Sequence, residues 1–221
     1  MTTYQQQVSC RGNINRIIST DIQMRLITIE GNIAVGKSSL IHKLKEKFKE
    51  DNRVIFITEP VEDWLSHGFL QGMYTGTVPT QGFQHMVLSS MAAELISAIF
   101  EAPCIIIQER SLKCTYEVFA KANLRDIDLR LFEYSCDKII KSIPLKVSHI
   151  YLRLDVETLL QRAKARNRES EDTIPVNYIR ELNRLHDEWL LHDENTTVIH
   201  AENDIHVTSD IVEKIIHDSL K

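Results

Sequence analysis

Short runs of apolar residues alternate along the chain with stretches in which apolar side chains return every three or four positions. The runs are RLITIE (25–30), RVIFITE (53–59), CIIIQE (104–109), VSHIYLRL (147–154) and TTVIH (196–200). Leu26-Ile27-Thr28-Ile29 and Cys104-Ile105-Ile106-Ile107 are too short for helices and rich in β-branched residues, so they read as central strands covered on both faces. Five such strands separated by helical segments predict an α/β fold, a five-stranded parallel sheet with helices on both faces. In the segment from Ser39 to Glu50, Leu40, Ile41, Leu44 and Phe48 share one helical face. Lys43, Lys45, Lys47 and Lys49, interleaved with acids, read as a solvated face.

Length and composition narrow the class without naming a chemistry. A chain of 221 residues with 43% hydrophobic and 26% charged residues suits one compact globular domain. No apolar run approaches the ~20 residues that a membrane-spanning helix needs. The net charge of -5 gives no general attraction to nucleic acid or to an anionic membrane, so neither is expected as a partner. A phosphate ligand would need a local cationic site. Cys10, Cys104, Cys114 and Cys136 have no CxxC spacing and read as free thiols of a reducing compartment, which points to the cytoplasm. The nine histidines show no metal-ligand spacing. Residues 1–23 read as a disordered N-terminal extension, and 24–221 as the folded domain. The acid-free start with Arg11 and Arg16 also fits an organelle transit segment, but its Gln-rich composition favours the extension.

The cationic site lies directly after the first predicted strand. Gly31-Asn32-Ile33-Ala34-Val35-Gly36-Lys37-Ser38 matches GxxxxGK[ST], with Ser39 opening a predicted helix. The pattern is a phosphate-binding loop: the glycines let the backbone wrap around phosphates, the helix N-terminus points N–H groups at the anion, Lys37 adds charge and Ser38 a hydroxyl for Mg²⁺. A chance glycine turn is the alternative, and the strand before and helix after argue against it. ATP with Mg²⁺ is the expected nucleotide.

The second predicted strand runs to Glu59, where Pro60 stops it, and the third ends at Glu109-Arg110-Ser111. In a parallel sheet both ends lie beside the loop, on the edge where ligands bind. One carboxylate there can take the proton of an attacking hydroxyl, a second can help hold Mg²⁺, and Arg110 can orient the first. Each acid alone could be a surface residue; their shared position favours function. Arg162, Arg166 and Arg168 cluster in QRAKARNRESED, with Arg162 and Arg166 on one helical face. They are either a solvated basic helix end or, better matched to a phosphate loop, a lid over phosphates.

Taken together, ITIEGNIAVGKSS, ITEPVEDW, IIQERS, IYLRLDVETLLQRAKARNRESEDTIP and HDEWLL resemble the deoxyribonucleoside kinase family from about residue 25 to 220. The resemblance implies the P-loop kinase fold with an Arg-rich lid. It also implies phosphoryl transfer to the 5′-hydroxyl of a deoxynucleoside, and a homodimer. It gives Glu59 the role of general base with Arg110 beside it, Glu109 a place near Mg²⁺, and Arg162, Arg166 and Arg168 contacts with phosphates. Tyr74 and Glu171 would meet the 3′-hydroxyl, Phe83 and Gln84 the base, Val87 and Met91 its edge, and Trp64 and Phe119 the pocket walls. Asn203 and Asp204 fall in a loop resembling the one that holds adenine.

There are two departures from the family pattern. Ser170 replaces a second lid acid. Thr115 stands where thymidine-accepting members tend to have alanine, and deoxycytidine and purine members aspartate. An uncharged pocket with Gln84 suggests pyrimidines. A nucleoside monophosphate kinase would carry an arginine before the Glu-Pro pair, where this chain has Thr58. A non-catalytic relative would be expected to lack Lys37 or Glu59; both are present.

Overall fold

The computed structural model describes residues 24–166, 174–202 and 204–221, with Arg166 described for its backbone alone. The expected extension 1–23, the lid residues Arg168, Ser170 and Glu171, and Asn203 lie outside these residues. The chain runs β1 (Arg25–Glu30), α1 (Lys37–Lys47), β2 (Val54–Ile57), α2 (Val61–Ser66), α3 (Phe69–Thr75), α4 (Thr80–Phe100) and β3 (Ile105–Glu109). Helix α5 follows in three segments, Leu112–Cys114, a π-helical turn Thr115–Ala120, and Lys121–Asn123. Then come α6 (Asp126–Ser142), β4 (Lys146–Arg153), α7 (Val156–Arg166), α8 (Val176–Leu190), β5 (Thr196–His200) and α9 (Ile205–Ser219).

The strands pair in parallel in the order β2-β3-β1-β4-β5. Alternate side chains go to opposite faces, as the pleat requires. Ile27, Ile29, Ile105 and Ile107 pack with Leu40 and Leu44 of α1, Leu159 of α7, and Val212 and Ile216 of α9. Leu26 and Ile106 pack on the other side with Leu88, Met91 and Leu95 of α4 and Phe132 of α6. Each of these buried side chains contributes about 1.5–3 kcal/mol. Further along that second face, Tyr151 meets Cys114 and Val118 of α5 and Leu182 and Leu185 of α8. Cys104, Cys114 and Cys136 are free thiols.

β1 stands where the strand order reverses, with β3 on one side and β4 on the other. The connections leaving β1 and β3 therefore part to opposite faces and leave a crevice at the carboxyl ends of the strands.

Two expectations need correction. β2 stops at Ile57, whose register partner is Gln108, two residues short of Glu59. Pro60 has no N–H to continue the ladder, and a tight turn from Val61 N–H to Glu59 O (2.9 Å) takes over at Glu59. Finally, α4, at 21 residues, is long and apolar enough by length and composition to cross a membrane. The run-based reading missed it because Gln84, His85 and Glu94 interrupt its apolar residues. Here Phe83, Val87, Leu88, Met91 and Leu95 of this helix are buried in the core.

Candidate active site

The loop between β1 and α1 is shaped by its glycines. Gly31 has φ 141, and a Cβ there would lie 2.6 Å from the carbonyl oxygen of Leu152 on β4, so no larger residue fits. Gly36, at φ 110, is the N-cap of α1 and leaves the helix without a side-chain cap or an acid in its first turn. The free N–H groups and the positive end of the helix thus face the crevice. Lys37 is buried and donates from Nζ to the carbonyls of Gly31 (2.9 Å) and Asn32 (3.0 Å). Burial, and then the neighbouring Arg110, lower its pKa. The Asn32 side chain works as a brace: Oδ1 accepts from Ile33 N–H at 2.8 Å, and Nδ2 donates to Ile179 O of α8 at 3.0 Å. Val35 is buried in the core, and its carbonyl accepts from Arg162 (3.1 Å), which also reaches Ala201 O after β5 (2.9 Å).

Facing the loop, the acids form one connected unit. Ser38 Oγ donates to Glu109 Oε1 at 2.7 Å, and Glu109 Oε2 accepts the Glu59 backbone N–H at 3.4 Å. Arg110 Nη1 lies 2.9 Å from Glu59 Oε1, with both side chains nearly enclosed. The Arg110 guanidinium also rests 3.8 Å above the centre of the Phe119 ring. Burial raises the pKa of Glu59, and the opposing pull of Arg110 and Lys37 does not cancel that rise. Arg110 holds φ 61, a left-handed conformation uncommon for a residue with a side chain and typical of functional sites.

These groups open into a cavity of about 460 Å³, a size suited to a small ligand. Ile33, Ala34, Gly36, Lys37, Ser38, Ser39 and Arg162 line one part of it; Glu59, Trp64, Tyr74, Phe83, Gln84, Val87, Glu109, Arg110, Thr115 and Phe119 line the other. Trp64 Nε1 donates to Ser90 Oγ (3.3 Å), and its ring meets Phe83 edge-on. Thr115 Oγ1 donates to Leu112 O at 2.6 Å, so the hydroxyl proton turns back into α5.

A sequence model of the deoxynucleoside kinase family matches residues 27–220. The chain belongs to the deoxynucleoside kinase family. It is 29% identical over 180 residues to human mitochondrial thymidine kinase 2, covering 75% of this chain and 64% of that protein. Over 197 residues it is 29% identical to the putative kinase protein 029R of Invertebrate iridescent virus 3, covering 86% and 95%. Mitochondrial deoxyguanosine kinase of Xenopus laevis is 26% identical over 229 residues, covering 90% of this chain and 83% of that protein.

Some expected site residues of this family member do not line the cavity. Met91 is 1% exposed and packs in the core cluster behind the cavity-lining Trp64, Phe83 and Val87, without lining the cavity itself. The Asp204 carboxylate is the N-cap of α9, accepting from His206 N–H at 2.7 Å, while the contact expected from its loop is a backbone one. Gly31, Asn32 and Val35 shape the loop from behind. The reading missed Tyr178, which lines the cavity and takes a hydrogen bond on its hydroxyl from Asn123 Nδ2 (2.7 Å). Its helical spacing from Leu182 and Leu185 resembles plain core, so the sequence carried no separate signal. Thr58, Glu62, Leu70 and Met73 also line the cavity. The side chain of Arg166 and all of Arg168, Glu171 and Asn203 lie outside the described residues.

Proposed function

We propose that residues 24–221 form a kinase domain that moves the γ-phosphoryl group of ATP to the 5′-hydroxyl of a deoxyribonucleoside. The observation that carries this reading is the Glu59–Arg110 pair at 2.9 Å, enclosed in a cavity that opens onto the phosphate loop. Glu59 would accept the proton of the acceptor hydroxyl, and its raised pKa brings it closer to neutral, where a base works best. Arg110 holds the Glu59 carboxylate in place, while Lys37 and the α1 N-terminus would take the transferring phosphoryl charge. Thr58 occupies the position where an acceptor phosphate would call for an arginine, in keeping with a neutral acceptor. Arg162 would close over the donor phosphates from the side of β5.

The hydroxyl of Ser38 and the carboxylate of Glu109 are hard oxygen donors of the kind Mg²⁺ prefers, and they already touch at 2.7 Å. They would hold the ion, which supplies charge neutralisation on the nucleotide phosphates when bound.

Pyrimidine deoxynucleosides are the proposed substrates. Gln84 is buried on the cavity wall, and its amide offers an acceptor and two donors, which suits thymine or cytosine edges. Steady-state kinetics on the four deoxynucleosides should give the higher kcat/KM to thymidine or deoxycytidine. A purine preference over both pyrimidines of roughly 100-fold would overturn the reading.

The proposed assembly is a homodimer. Ile96 and Phe100 of α4, and Ile127, Leu131 and Tyr134 of the neighbouring α6, are exposed apolar residues, with Phe100 67% and Tyr134 65% exposed. A patch of this kind on two adjacent helices suits a second copy of the chain. Light scattering should report about twice the 25.6 kDa chain mass, and Phe100→Glu with Tyr134→Glu should return it to the monomer. A monomeric wild-type protein at about 10 μM would remove the assembly proposal.

A further inference from the structure

Among the described residues, the chemistry proposed above leaves one buried carboxylate without a role. Glu30 is the last residue of β1, 0% exposed, and absent from the cavity wall. Burying a carboxylate is costly unless hydrogen bonds compensate, so its partners indicate what it does. Oε1 accepts the backbone N–H of Ser111 at 2.9 Å. It also lies 3.8 Å from His149 Nδ1 on β4.

The bond to Ser111 ties the chain back to β1 just past the end of β3. Ile29 is in register with Glu109, and the Arg110 N–H reaches Ile29 O at 3.0 Å. The next N–H, that of Ser111, would face away from β1 in a regular strand, and after the left-handed Arg110 it turns back to the Glu30 side chain. Ser111 Oγ then accepts from Cys114 N–H at 3.0 Å and starts α5. Arg110, at φ 61, thus stands between two N–H groups tied to β1, one by backbone and one by Glu30. Without the second tie, nothing in the ladder would hold the chain in a conformation that arginine rarely adopts.

We propose that Glu30 is a positioning residue for phosphoryl transfer: by accepting the Ser111 N–H it holds Arg110 in the backbone conformation from which the guanidinium reaches Glu59 and Phe119. Hydrogen-bond reach is what matters here, and charge is secondary. The proposal rests on Arg110 acting at the acceptor site.

The test is steady-state kinetics of Glu30→Gln, Glu30→Asp, Glu30→Ala, Arg110→Ala and the double variant Glu30→Ala with Arg110→Ala, each below its own melting temperature. Glutamine keeps an acceptor at the same reach and should retain kcat within about threefold, whereas Asp and Ala should lose roughly 30-fold or more with the KM for ATP little changed. In the Arg110→Ala background, Glu30→Ala should cost less than about threefold further, because both changes remove one function. Full additivity, or Asp retaining activity that Gln loses, would overturn the positioning role. If Asp and Ala fail to fold, Gln decides: a folded Gln variant down by more than about tenfold overturns it. Undiminished kcat in Arg110→Ala would instead overturn the acceptor-site reading itself.

Discussion

Replacing Glu59 by glutamine is expected to lower kcat by at least about 100-fold while leaving ATP affinity within a few-fold of wild type. The amide keeps the size of the side chain and an oxygen for Arg110 Nη1, now 2.9 Å from Glu59 Oε1, but it cannot take a proton. In the proposed reading Glu59 serves the acceptor, and its hydrogen-bonded link to the phosphate loop runs through its backbone N–H and Glu109, which the substitution leaves in place, so the donor site should be little disturbed. The pH profile gives a second reading of the same group. A base works only when deprotonated, so kcat/KM is retained at high pH and lost as pH falls through the Glu59 pKa. Burial raises that pKa above its ordinary value of 4.5, so the loss should begin at higher pH than for an exposed glutamate. Retention of more than about a tenth of wild-type kcat in Glu59→Gln, measured with saturating substrates, would exclude Glu59 as the base.

Lys37→Met is expected to reduce kcat/KM for ATP by about 10²–10³-fold, the range seen when one preorganised charge or donor is removed from a transition state. Its Nζ is held by two carbonyls of its own loop, at 2.9 and 3.0 Å, at the point where α1 begins without a cap. Phosphate oxygens would meet a cation that is already placed and largely shielded from water. The burial that lowers the lysine pKa also makes an anion there more strongly attracted than it would be in water. Methionine fills similar space without charge, so melting temperature should change less than activity. A variant within tenfold of wild type, by initial rates across ATP concentrations, would place the donor phosphates elsewhere.

The sheet was legible because its strands are buried on both faces and read as unbroken β-branched runs. The observed ends of β3 and β4 fall within one residue of the predicted ones, and β5 matches. The phosphate loop was legible because its glycines are demanded by backbone geometry, which a motif records directly. The path of residues 58–60 was not: leaving the ladder depends on Pro60 and on the Glu109 carboxylate from another strand. Pocket membership on α4 was legible only in part. Phe83, Gln84, Val87 and Met91 all point inward, and which of them borders empty space depends on how α2 and α3 sit over the helix. Tyr178 was lost for the same reason, since apolar spacing separates inside from outside but not core from cavity. Glu30 drew no attention because a carboxylate at a strand end next to a loop looks exposed in sequence.

The π-helical turn at Thr115–Ala120 carries a consequence for how the cavity wall can change. Such a turn holds one more residue than α-helical winding would, so the segments on either side differ in rotational phase by about 100° per residue. Thr115 and Phe119 lie within it, while Asn123, which lies beyond it, bonds the hydroxyl of the cavity-lining Tyr178 on the neighbouring α8. Deleting a single residue from this turn would restore ordinary winding and swing Asn123 away from Tyr178 without altering any lining side chain directly. The outline of the wall therefore depends on the length of the chain here as well as on its composition, and insertion or deletion can reshape it in steps that substitution cannot make.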